Sequence, residues 1–328
     1  MSQAISITRL KRYFKVYKRS PGILSALGSI FKREFVEVKA VDDISFKINQ
    51  GELVGFIGPN GAGKTTTLKC LSGLLYPSEG SVSVLGFNPF ERKSLFLKKI
   101  SLVMGQKNQL WWDLPAYDTF RLNKEIYELT DGEFNKTLDF LMELLDVKDL
   151  IKIPVRNLSL GQRMKMELIA SLIHKPQVLF LDEPTIGLDV VMQKKMREFI
   201  AEYNKIYKST ILLTSHYMAD VKQLCKRVII IDHGKLIYDG DLAKLVDKYA
   251  DTKWVTVDFI KDADRGKLEK LGFMKSFESH RVVFNVKKEE ALILVATLLK
   301  EFEIEDLNIE DPDIEEIIRI VFAAGRNV

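Results

Sequence analysis

The stretch GPNGAGKTT, residues 58–66, carries the most specific chemical pattern in the chain. It fits G-x-x-x-x-G-K-[ST], in which small residues let backbone N–H groups curl around the oxygens of a phosphate. The apolar segment ELVGFIG before it predicts a buried strand, and the following residues predict a helix whose positive N-terminus faces the same anion. Lys64 adds a point charge for the β- and γ-phosphates, and the Thr65 hydroxyl can bind Mg²⁺. The predicted nucleotide-binding loop comprises Gly58, Pro59, Asn60, Gly61, Ala62, Gly63, Lys64, Thr65 and Thr66.

Two carboxylates end another apolar segment, VLFLDEP, at residues 178–184. Burying charge is costly, so a buried strand that ends in Asp-Glu needs a chemical reason for both residues. In a phosphate-binding fold the first, Asp182, would hold Mg²⁺, and the second, Glu183, would polarise the water that attacks the γ-phosphate. The alternative is an acid pair solvated at a turn. The phosphate-binding pattern elsewhere in the chain favours the catalytic interpretation.

Alternating helical and apolar stretches predict the fold of most of the chain. Helical patterns alternate with apolar runs between about residues 64 and 245. The apolar runs are 178–183, 209–215 and 227–232. This alternation is typical of an α/β layer with a mainly parallel sheet. Two further strands are predicted before it, at 4–8 and 44–48.

The pattern of the sequence changes near residue 247. Beyond it, the residues predict the order strand, helix, strand, strand, helix, strand, followed by a last helix after Pro312. That order is typical of a small split α/β sandwich. The sequence therefore predicts two domains, residues 1–246 and a smaller α+β domain at 247–328.

Length and composition are those of a globular protein. The chain has 328 residues, a length sufficient for two domains with cores of their own. Hydrophobic residues make up 46% of it and charged residues 29%, which is ordinary for a globular protein. No stretch approaches the roughly 18 uninterrupted apolar residues of a membrane span, and the start, MSQAISITRLKRYF, lacks the apolar segment of a signal peptide. Cys70 and Cys225 lie far apart in apolar surroundings, so neither a disulfide nor a metal site is predicted. We expect a chain that is cytosolic or reaches a membrane only through a partner.

Basic residues crowd the start of the chain and acidic residues its end, although the net charge is only +4. The basic residues are Arg9, Lys11, Arg12, Lys15, Lys18 and Arg19. An apolar helical stripe follows at 21–31. We expect a basic and amphipathic insertion near residues 15–35. Such a tract can bind nucleic acid or lie against anionic lipid. On charge alone, a solvated face is the preferred interpretation.

The segment LSLGQ at residues 158–162 closely resembles Leu-Ser-Gly-Gly-Gln, the signature of the ATP-binding subunits of ATP-binding cassette (ABC) transporters. The departure is Leu160, which replaces the first glycine. The resemblance implies that Ser159, Gly161 and Gln162 contact ATP. Because Ser159 and Gly161 are retained, we expect the function to be retained as well. The signature heads a predicted helix, whose N–H groups and dipole favour an anion.

Further landmarks of these subunits occur in the same order along the chain. By resemblance, Gln106 joins the Mg²⁺ site, which also contains Thr65 and Asp182, to a helical subdomain near residues 107–172. Residues 187–189 match the loop that crosses a dimer interface. The resemblance as a whole covers about residues 4–245.

Two more site residues are implied by the same resemblance. His216 matches the switch histidine that contacts the γ-phosphate, and with Glu183 it completes the catalytic pair. The aromatic residue that stacks on adenine should lie in the first strand region. Phe14 or Tyr13 fits that role, and we assign it to Phe14.

Two adjacent tryptophans lie in NQLWWDLP, residues 108–115. Neighbouring side chains point in different directions, so one core cannot easily hold both rings. In the ABC subunits this helical segment receives the coupling helix of the membrane partner, and an aromatic patch with a polar rim suits such a contact. We expect one ring, Trp112, to be exposed because Asp113 and Pro115 favour a turn. The other, Trp111, is expected to pack inside the helical subdomain.

The resemblance implies an α/β fold of the P-loop NTPase class, an ABC cassette with a helical subdomain, beside the small C-terminal α+β domain. It also implies an ATPase that uses ATP and Mg²⁺ and works as a homodimer or as a heterodimer with a closely related subunit. The partner would be an integral-membrane permease in a separate chain, which places the protein peripherally at the cytoplasmic face of the membrane. The ending LNIEDPDIEEIIRIVF resembles the tail of ATPases from exporters of drugs, polysaccharides or lipids.

Two other functions stay open on the sequence. One is a non-transport ABC ATPase that acts on ribosomes or nucleic acid. Ribosome-acting members usually carry two cassettes, and DNA-repair members insert a coiled coil for which the interval 66–158 is too short, so nucleic acid is not expected as a partner. The other is a regulatory module that binds ATP without hydrolysing it, against which Glu183 and His216 argue.

Overall fold

The chain divides into two compact units, Met1–Gly240 and Asp241–Val328. The structure is a computed structural model that describes residues 2–17, 35–105, 109–249, 252–272 and 274–325. The boundary expected from the sequence, after residue 246, lies within helix Leu242–Tyr249 of the second unit. Each unit has its own sheets and its own core.

The strands of the first unit form two sheets. They are β1 (Gln3–Tyr17), β2 (Phe35–Asn49), β3 (Leu53–Ile57), β4 (Glu79–Val84), β5 (Ile100–Met104), β6 (Val178–Asp182), β7 (Thr210–Thr214), β8 (Arg227–Asp232) and β9 (Lys235–Asp241). The larger sheet has the order β5-β6-β7-β3-β8-β9, and its neighbours from β5 to β8 pair in parallel. Strands β6 and β7 are wholly buried, as expected for a parallel sheet covered on both faces. Because parallel strands end at one edge, the residues after β3, β6 and β7 gather there.

The smaller sheet is antiparallel and has the order β2-β1-β4. One hydrophobic core joins it to the parallel sheet, with Ile5 and Ile44 contributed by the smaller sheet and Val54 and Phe56 by β3. Full burial of such a side chain stabilises the fold by roughly 1.5–3 kcal/mol. The predicted apolar stripe at 21–31, with Lys18 and Arg19, lies outside the described residues.

The helices of the first unit include one group that forms the helical subdomain. They are α1 (Lys64–Leu71), α2 (Ser94–Leu97), α3 (Ala116–Ile126), α4 (Asp131–Leu145), α5 (Leu160–Leu172), α6 (Val190–Tyr207) and α7 (Met218–Leu224). Helices α3 to α5 fall in the predicted helical subdomain. Thr130 caps α4 in a capping box with Glu133, so the helix begins where its N–H groups find side-chain acceptors. Over the described parts of both units, no helix has the length and apolar content needed to cross a bilayer.

The second unit is an antiparallel sheet with helices. Its elements are α8 (Leu242–Tyr249), β10 (Thr252–Phe259), α9 (Arg265–Leu268), β11 (Met274–Glu278), β12 (Arg281–Lys287), α10 (Ala291–Glu301), β13 (Ile304–Glu310) and α11 (Ile314–Gly325). The strand order is β11-β12-β10-β13, and each neighbouring pair is antiparallel. Alternate residues of β10, Val255, Val257 and Phe259, enter a core shared with Leu294 and Leu298 of α10.

Candidate functional site

The loop between β3 and α1 needs glycine at two positions because other backbone segments press against it. A Cβ on Gly58 would lie 2.3 Å from the carbonyl oxygen of Ile231, and one on Gly63 would lie 2.3 Å from that of Ala40. Gly63 also has φ of 105°, in the region that side chains disfavour. Helix α1 begins at the next residue, Lys64, and so presents its N-terminus to the concave side of the loop.

Lys64 is held across this loop by backbone oxygens. Its Nζ donates to the carbonyl oxygens of Gly58 at 2.6 Å and Pro59 at 3.1 Å. Burial lowers the pKa of Lys64, and the nearby carboxylates of Glu183 and Asp182 oppose part of that shift. A cation in such a desolvated position favours an anionic ligand, because a phosphate compensates the charge more fully than neutral carbonyl groups do.

Asp182 is a buried carboxylate between two hydroxyl groups. One oxygen accepts from the Thr65 hydroxyl at 2.8 Å and the other from the Thr214 hydroxyl at 2.7 Å. Thr65 and Asp182 therefore offer neighbouring oxygen ligands at the end of the loop between β3 and α1, and oxygen is the donor type that Mg²⁺ prefers. Among the described residues no group of three or more His, Cys, Asp or Glu side chains could hold a metal. Mg²⁺ in a nucleotide site needs only one or two protein oxygens beside the phosphates, so this donor pair fits it.

Glu183 and His216 meet directly, although they are far apart in sequence. Nε2 of His216 lies 2.6 Å from Oε1 of Glu183. Glu183 adopts a φ of 57°, and its N–H donates both to the carbonyl oxygen and to the hydroxyl of Thr214, each at 3.1 Å. Glu183 thus lies just beyond β6, which ends at Asp182. The two adjacent carboxylates consequently have different partners and different exposure.

A buried network beside this pair was not predicted. Asp220, which is 1% exposed, accepts hydrogen bonds from the hydroxyls of Thr185 at 2.6 Å and Ser215 at 2.7 Å. It also pairs with Arg197 at 2.9 Å. Thr185 lies in the turn after Glu183, and Ser215 precedes His216, so Asp220 ties together the backbone on both sides of the contact between Glu183 and His216. In the sequence Asp220 is an ordinary acid in MADVKQL, and no local pattern distinguishes it.

The signature segment forms the cap of helix α5. The Ser159 hydroxyl accepts from the N–H of Gln162 at 3.2 Å, and the Gln162 side chain accepts from the N–H of Ser159 at 2.9 Å. This capping box fixes the start of α5 and directs the Gln162 side chain back to Ser159. Ser159 itself is exposed.

Leu160, which departs from the signature, lies on the surface and is 40% exposed. Its Cδ2 would be 3.1 Å from a Cβ placed on Gly187, so it covers the glycine that opens the loop at 187–189. Gly161 packs closely on Met192, where a Cβ would meet side-chain atoms at 3.1 Å. The leucine therefore contacts a loop of its own chain.

The two candidates for the adenine-stacking residue have different surroundings. The Tyr13 hydroxyl donates to Asp42, and this hydrogen bond raises the pKa of Tyr13 to about 12. The Phe14 ring lies under the guanidinium of Arg12, 4.5 Å from its centroid. Phe14 is thus an apolar ring beside a cation at the end of β1, whereas Tyr13 is tied to an acid.

Gln106 lies outside the described residues, but Gly105, which precedes it in the chain, lies against the backbone of Asp182 and Glu183. The N–H of Gly105 donates to the carbonyl oxygen of Asp182 at 2.9 Å. A Cβ on Gly105 would lie 2.3 Å from the carbonyl oxygen of Glu183. Gly105 therefore lies directly alongside the backbone of Asp182 and Glu183.

The two tryptophans are both exposed, Trp111 by 53% and Trp112 by 49%. The expectation that Trp111 packs inside the helical subdomain is wrong, because Leu110, 5% exposed, occupies the buried position instead. The Arg163 guanidinium lies 5.5 Å from the Trp112 ring centroid, and Arg156 pairs with Asp113 beside it at 2.9 Å. The result is an aromatic surface with a charged rim, the composition typical of a protein–protein contact.

Comparison with known families gives matches in both units. Residues 41–186 match a family described as ABC transporter, and residues 251–310 match the EvrA-like ABC transporter C-terminal domain. The chain is 36% identical to the ABC transporter ATP-binding protein NatA of Bacillus subtilis over 64% of its own length and 85% of that protein. It is 28% identical to the linearmycin resistance ATP-binding protein LnrL of the same organism over 87% of its length and 94% of that protein. With the bacitracin transport ATP-binding protein BcrA of Bacillus licheniformis it shares 34% identity over 61% of its length and 64% of that protein.

Solved structures resemble the same part of the chain. An ATP-binding subunit of an ABC transporter superimposes with a TM-score of 0.62 at 22% identity, over 75% of this chain and 93% of that one. A dimeric ATP-binding cassette bound to ADP and phosphate gives 0.60 at 19% identity, over 72% of this chain and 98% of that one. At these identities the likeness concerns the fold, and it confirms the predicted fold class.

Proposed function

The chain belongs to the ATP-binding proteins of ABC transporters, and we propose that it hydrolyses ATP between two such subunits to drive an export permease carried by a separate chain. The related proteins named above are transporter ATP-binding proteins, and two of them carry the words linearmycin resistance and bacitracin transport. These names favour export over an action on ribosomes or nucleic acid.

The contact between Glu183 and His216 carries the hydrolytic part of the proposal. In this mechanism the loop N–H groups and Lys64 bind the β- and γ-phosphates. Glu183 accepts a proton from water as the water oxygen attacks the γ-phosphorus, and the bond to the β–γ bridging oxygen breaks to release ADP. His216 orients Glu183 and the γ-phosphate. A positioned general base of this kind contributes about 10²–10⁴-fold to the rate.

We assign the metal site to Thr65 and Asp182, with Gln106 as a further ligand. The hydrogen bond between Thr65 and Asp182 supports this assignment, because the two oxygens already converge at the end of the phosphate loop. Mg²⁺, when bound, neutralises charge on the β- and γ-phosphate oxygens. Thr214 holds the second oxygen of Asp182 and so keeps the carboxylate aimed at the loop.

The second half of the nucleotide site comes from another copy or from a closely related subunit. Ser159 is exposed at the N-terminus of α5, where backbone N–H groups and the helix dipole favour phosphate. In this arrangement Ser159, Gly161 and Gln162 face the ATP held by the loop of the opposite subunit, and Phe14 stacks on the adenine of its own ATP. ATP then joins the subunits, and hydrolysis separates them.

The aromatic surface at Trp111 and Trp112 is the proposed contact with the permease. Both rings are about half exposed and carry a charged rim, which suits an anchor for a membrane partner's cytoplasmic helix. The proposal places the protein at the cytoplasmic face of the membrane, held there by the permease. The matched C-terminal domain family also belongs to ABC transporters.

The decisive experiment replaces the proposed base. Glu183→Gln should reduce ATP hydrolysis by at least about 100-fold while leaving ATP binding intact, and ATP with Mg²⁺ should hold the variant as a dimer in gel filtration. Lys64→Ala is the control, because it should weaken ATP binding itself. A Glu183→Gln protein that stays monomeric at saturating ATP, or that hydrolyses ATP at the normal rate, would contradict the proposal.

A further inference from the structure

Glu167 is a buried acid that the hydrolytic mechanism does not use. It lies in the middle of α5 and is only 3% exposed. Its Oε1 accepts from the backbone N–H of Gln109 at 2.9 Å and of Leu110 at 3.3 Å, and its Oε2 accepts from Gln109 at 3.1 Å. Burial raises the pKa of Glu167, so the site is costly for a charged group. A costly carboxylate in this place calls for a role beyond helix formation.

Glu167 accepts hydrogen bonds from the first two N–H groups of a segment that has no helix or strand of its own. This segment comprises residues 109–115 and ends where α3 begins. Backbone N–H groups in such a segment need side-chain acceptors when they are buried, and Leu110 is buried. Glu167 therefore supplies the hydrogen bonds that regular structure would otherwise provide.

Residues 155–163, which precede Glu167 in the chain, make further contacts with the segment at 109–115. The Arg163 guanidinium, one turn before Glu167, lies over the Trp112 ring at 5.5 Å. Before α5, the N–H of Arg156 donates to the carbonyl oxygen of Trp112 at 2.9 Å, and that of Val155 donates to the carbonyl oxygen of Leu114 at 3.0 Å. The stretch from 155 to 167 that makes these contacts also contains the whole signature.

We propose that Glu167 is a positioning residue that locks the tryptophan segment, residues 109–115, to the signature helix, so that movement at Trp111 and Trp112 reaches Ser159 and the reverse. The inference rests on the proposed function, which assigns the two ends of this connection to the permease and to ATP. Ser159 and Glu167 are eight residues apart on one helix, a distance of about 12 Å at 1.5 Å per residue. A helix of this length moves as a unit, so a firm attachment at Glu167 transmits displacement to its capped end.

Hydrogen exchange on the full-length protein tests the connection, with Glu183→Gln present in every sample to hold ATP. In this parent, ATP and Mg²⁺ should slow exchange in the loop at 58–66 and change exchange in the tryptophan segment. Adding Glu167→Ala should speed exchange of the Gln109 and Leu110 amides at least about tenfold and abolish the ATP response of the segment, while the loop response persists. Glu167→Gln should give an intermediate result, because the amide retains one neutral acceptor oxygen.

Lys165→Met is the matched control for loss of a buried polar group on the same helix. Lys165 is 6% exposed and donates to the carbonyl oxygen of Leu145 at 2.6 Å, away from the tryptophan segment. It should lower the melting temperature yet leave the ATP response of the segment intact. If Glu167→Ala lowers the melting temperature but keeps the ATP response of the segment, as expected for Lys165→Met, Glu167 serves stability alone and the inference is wrong. The inference is also wrong if ATP changes hydrogen exchange in the loop of the parent but not in its tryptophan segment. If ATP does not change hydrogen exchange in the loop itself, the proposed function fails instead.

Discussion

At the scale of single residues, backbone conformation separates the roles of the two neighbouring acids Asp182 and Glu183. Asp182 still belongs to β6 and is fixed by two hydroxyl groups. Glu183 has a positive φ, a conformation that costs a non-glycine residue about 1–3 kcal/mol. Two hydrogen bonds from its N–H to Thr214 and its contact with His216 offset that cost. The strain is located at the residue that we propose as the general base.

His174 provides a pH-dependent prediction. Its ring stacks on Tyr127 at 3.8 Å, and its Nε2 lies 3.1 Å from the carbonyl oxygen of Ile100. Burial lowers the pKa of His174 from 6.5 to about 4. Between these values the unfolded chain binds a proton that the folded protein does not, so this residue makes the free energy of unfolding fall as the pH drops from 6.5 towards 4. At pH 5 the loss should reach roughly 2 kcal/mol.

Urea unfolding at pH 7 and pH 5 checks this expectation. His174→Phe keeps an aromatic ring for Tyr127 but cannot titrate, so it should lose about 2 kcal/mol less than the wild type between the two pH values. Comparing the two differences cancels the titration of all other groups. Equal losses for the two proteins would mean that His174 becomes protonated in the folded state as easily as in the unfolded one.

At the scale of elements, the tryptophan segment makes a prediction that differs from the sequence-based one. Because both rings are about half exposed, neither Trp111→Ala nor Trp112→Ala should lower the melting temperature substantially. Both should keep ATP affinity, and at least one should lose assembly with the permease, since truncation of an aromatic anchor typically costs about 2 kcal/mol or more in binding. Thermal melts and a pull-down with the membrane subunit measure the two effects.

Leu110→Ala is the opposite case in the same segment. Leu110 is buried, so its truncation should cost about 2–5 kcal/mol of stability through lost burial and the cavity left behind. It should thus melt early, in contrast to the two tryptophan variants. If the tryptophan variants also melt early and still bind the permease, the aromatic surface is part of the core and the assignment of the contact fails.

At the scale of the whole molecule, the described residues give each of the two units a hydrophobic core of its own. One core joins the two sheets of Met1–Gly240, and the other lies within Asp241–Val328. The residues of the proposed phosphate loop, β6 and His216 all belong to the first unit. The second unit brings its own antiparallel sheet and no residue of the proposed nucleotide site.

Separating the units tests this division. A fragment ending at Gly240 should fold and bind ATP with an affinity within a few-fold of the full chain, because it retains its core and every residue that we propose binds ATP. The fragment from Asp241 should show its own cooperative thermal transition by circular dichroism. Loss of ATP binding on truncation, with the first fragment still folded, would show that the second unit contributes to the site.

The sequence alone supports predictions of features that are encoded within a few consecutive residues. The proposed phosphate loop at 58–66 is such a feature, because glycine positions, a lysine and a hydroxyl must follow one another for backbone N–H groups to surround an anion. The acids that end β6 are another, since an apolar strand closed by charge is visible locally. The alternation of these segments also predicted the parallel α/β sheet, because strand and helix periodicities are properties of the chain itself.

Tertiary structure alone decided which distant residues meet and which neighbours are buried. Glu167 holds the N–H of Gln109 across 58 residues, and Asp220 joins Thr185 to Ser215, yet neither acid differs in its local sequence from a surface residue. Likewise, Leu110 is buried, whereas the neighbouring Trp111 and Trp112 are exposed. The physical reason is that hydrogen-bond partners and burial depend on packing between elements, whereas local patterns report only the conformation of each element.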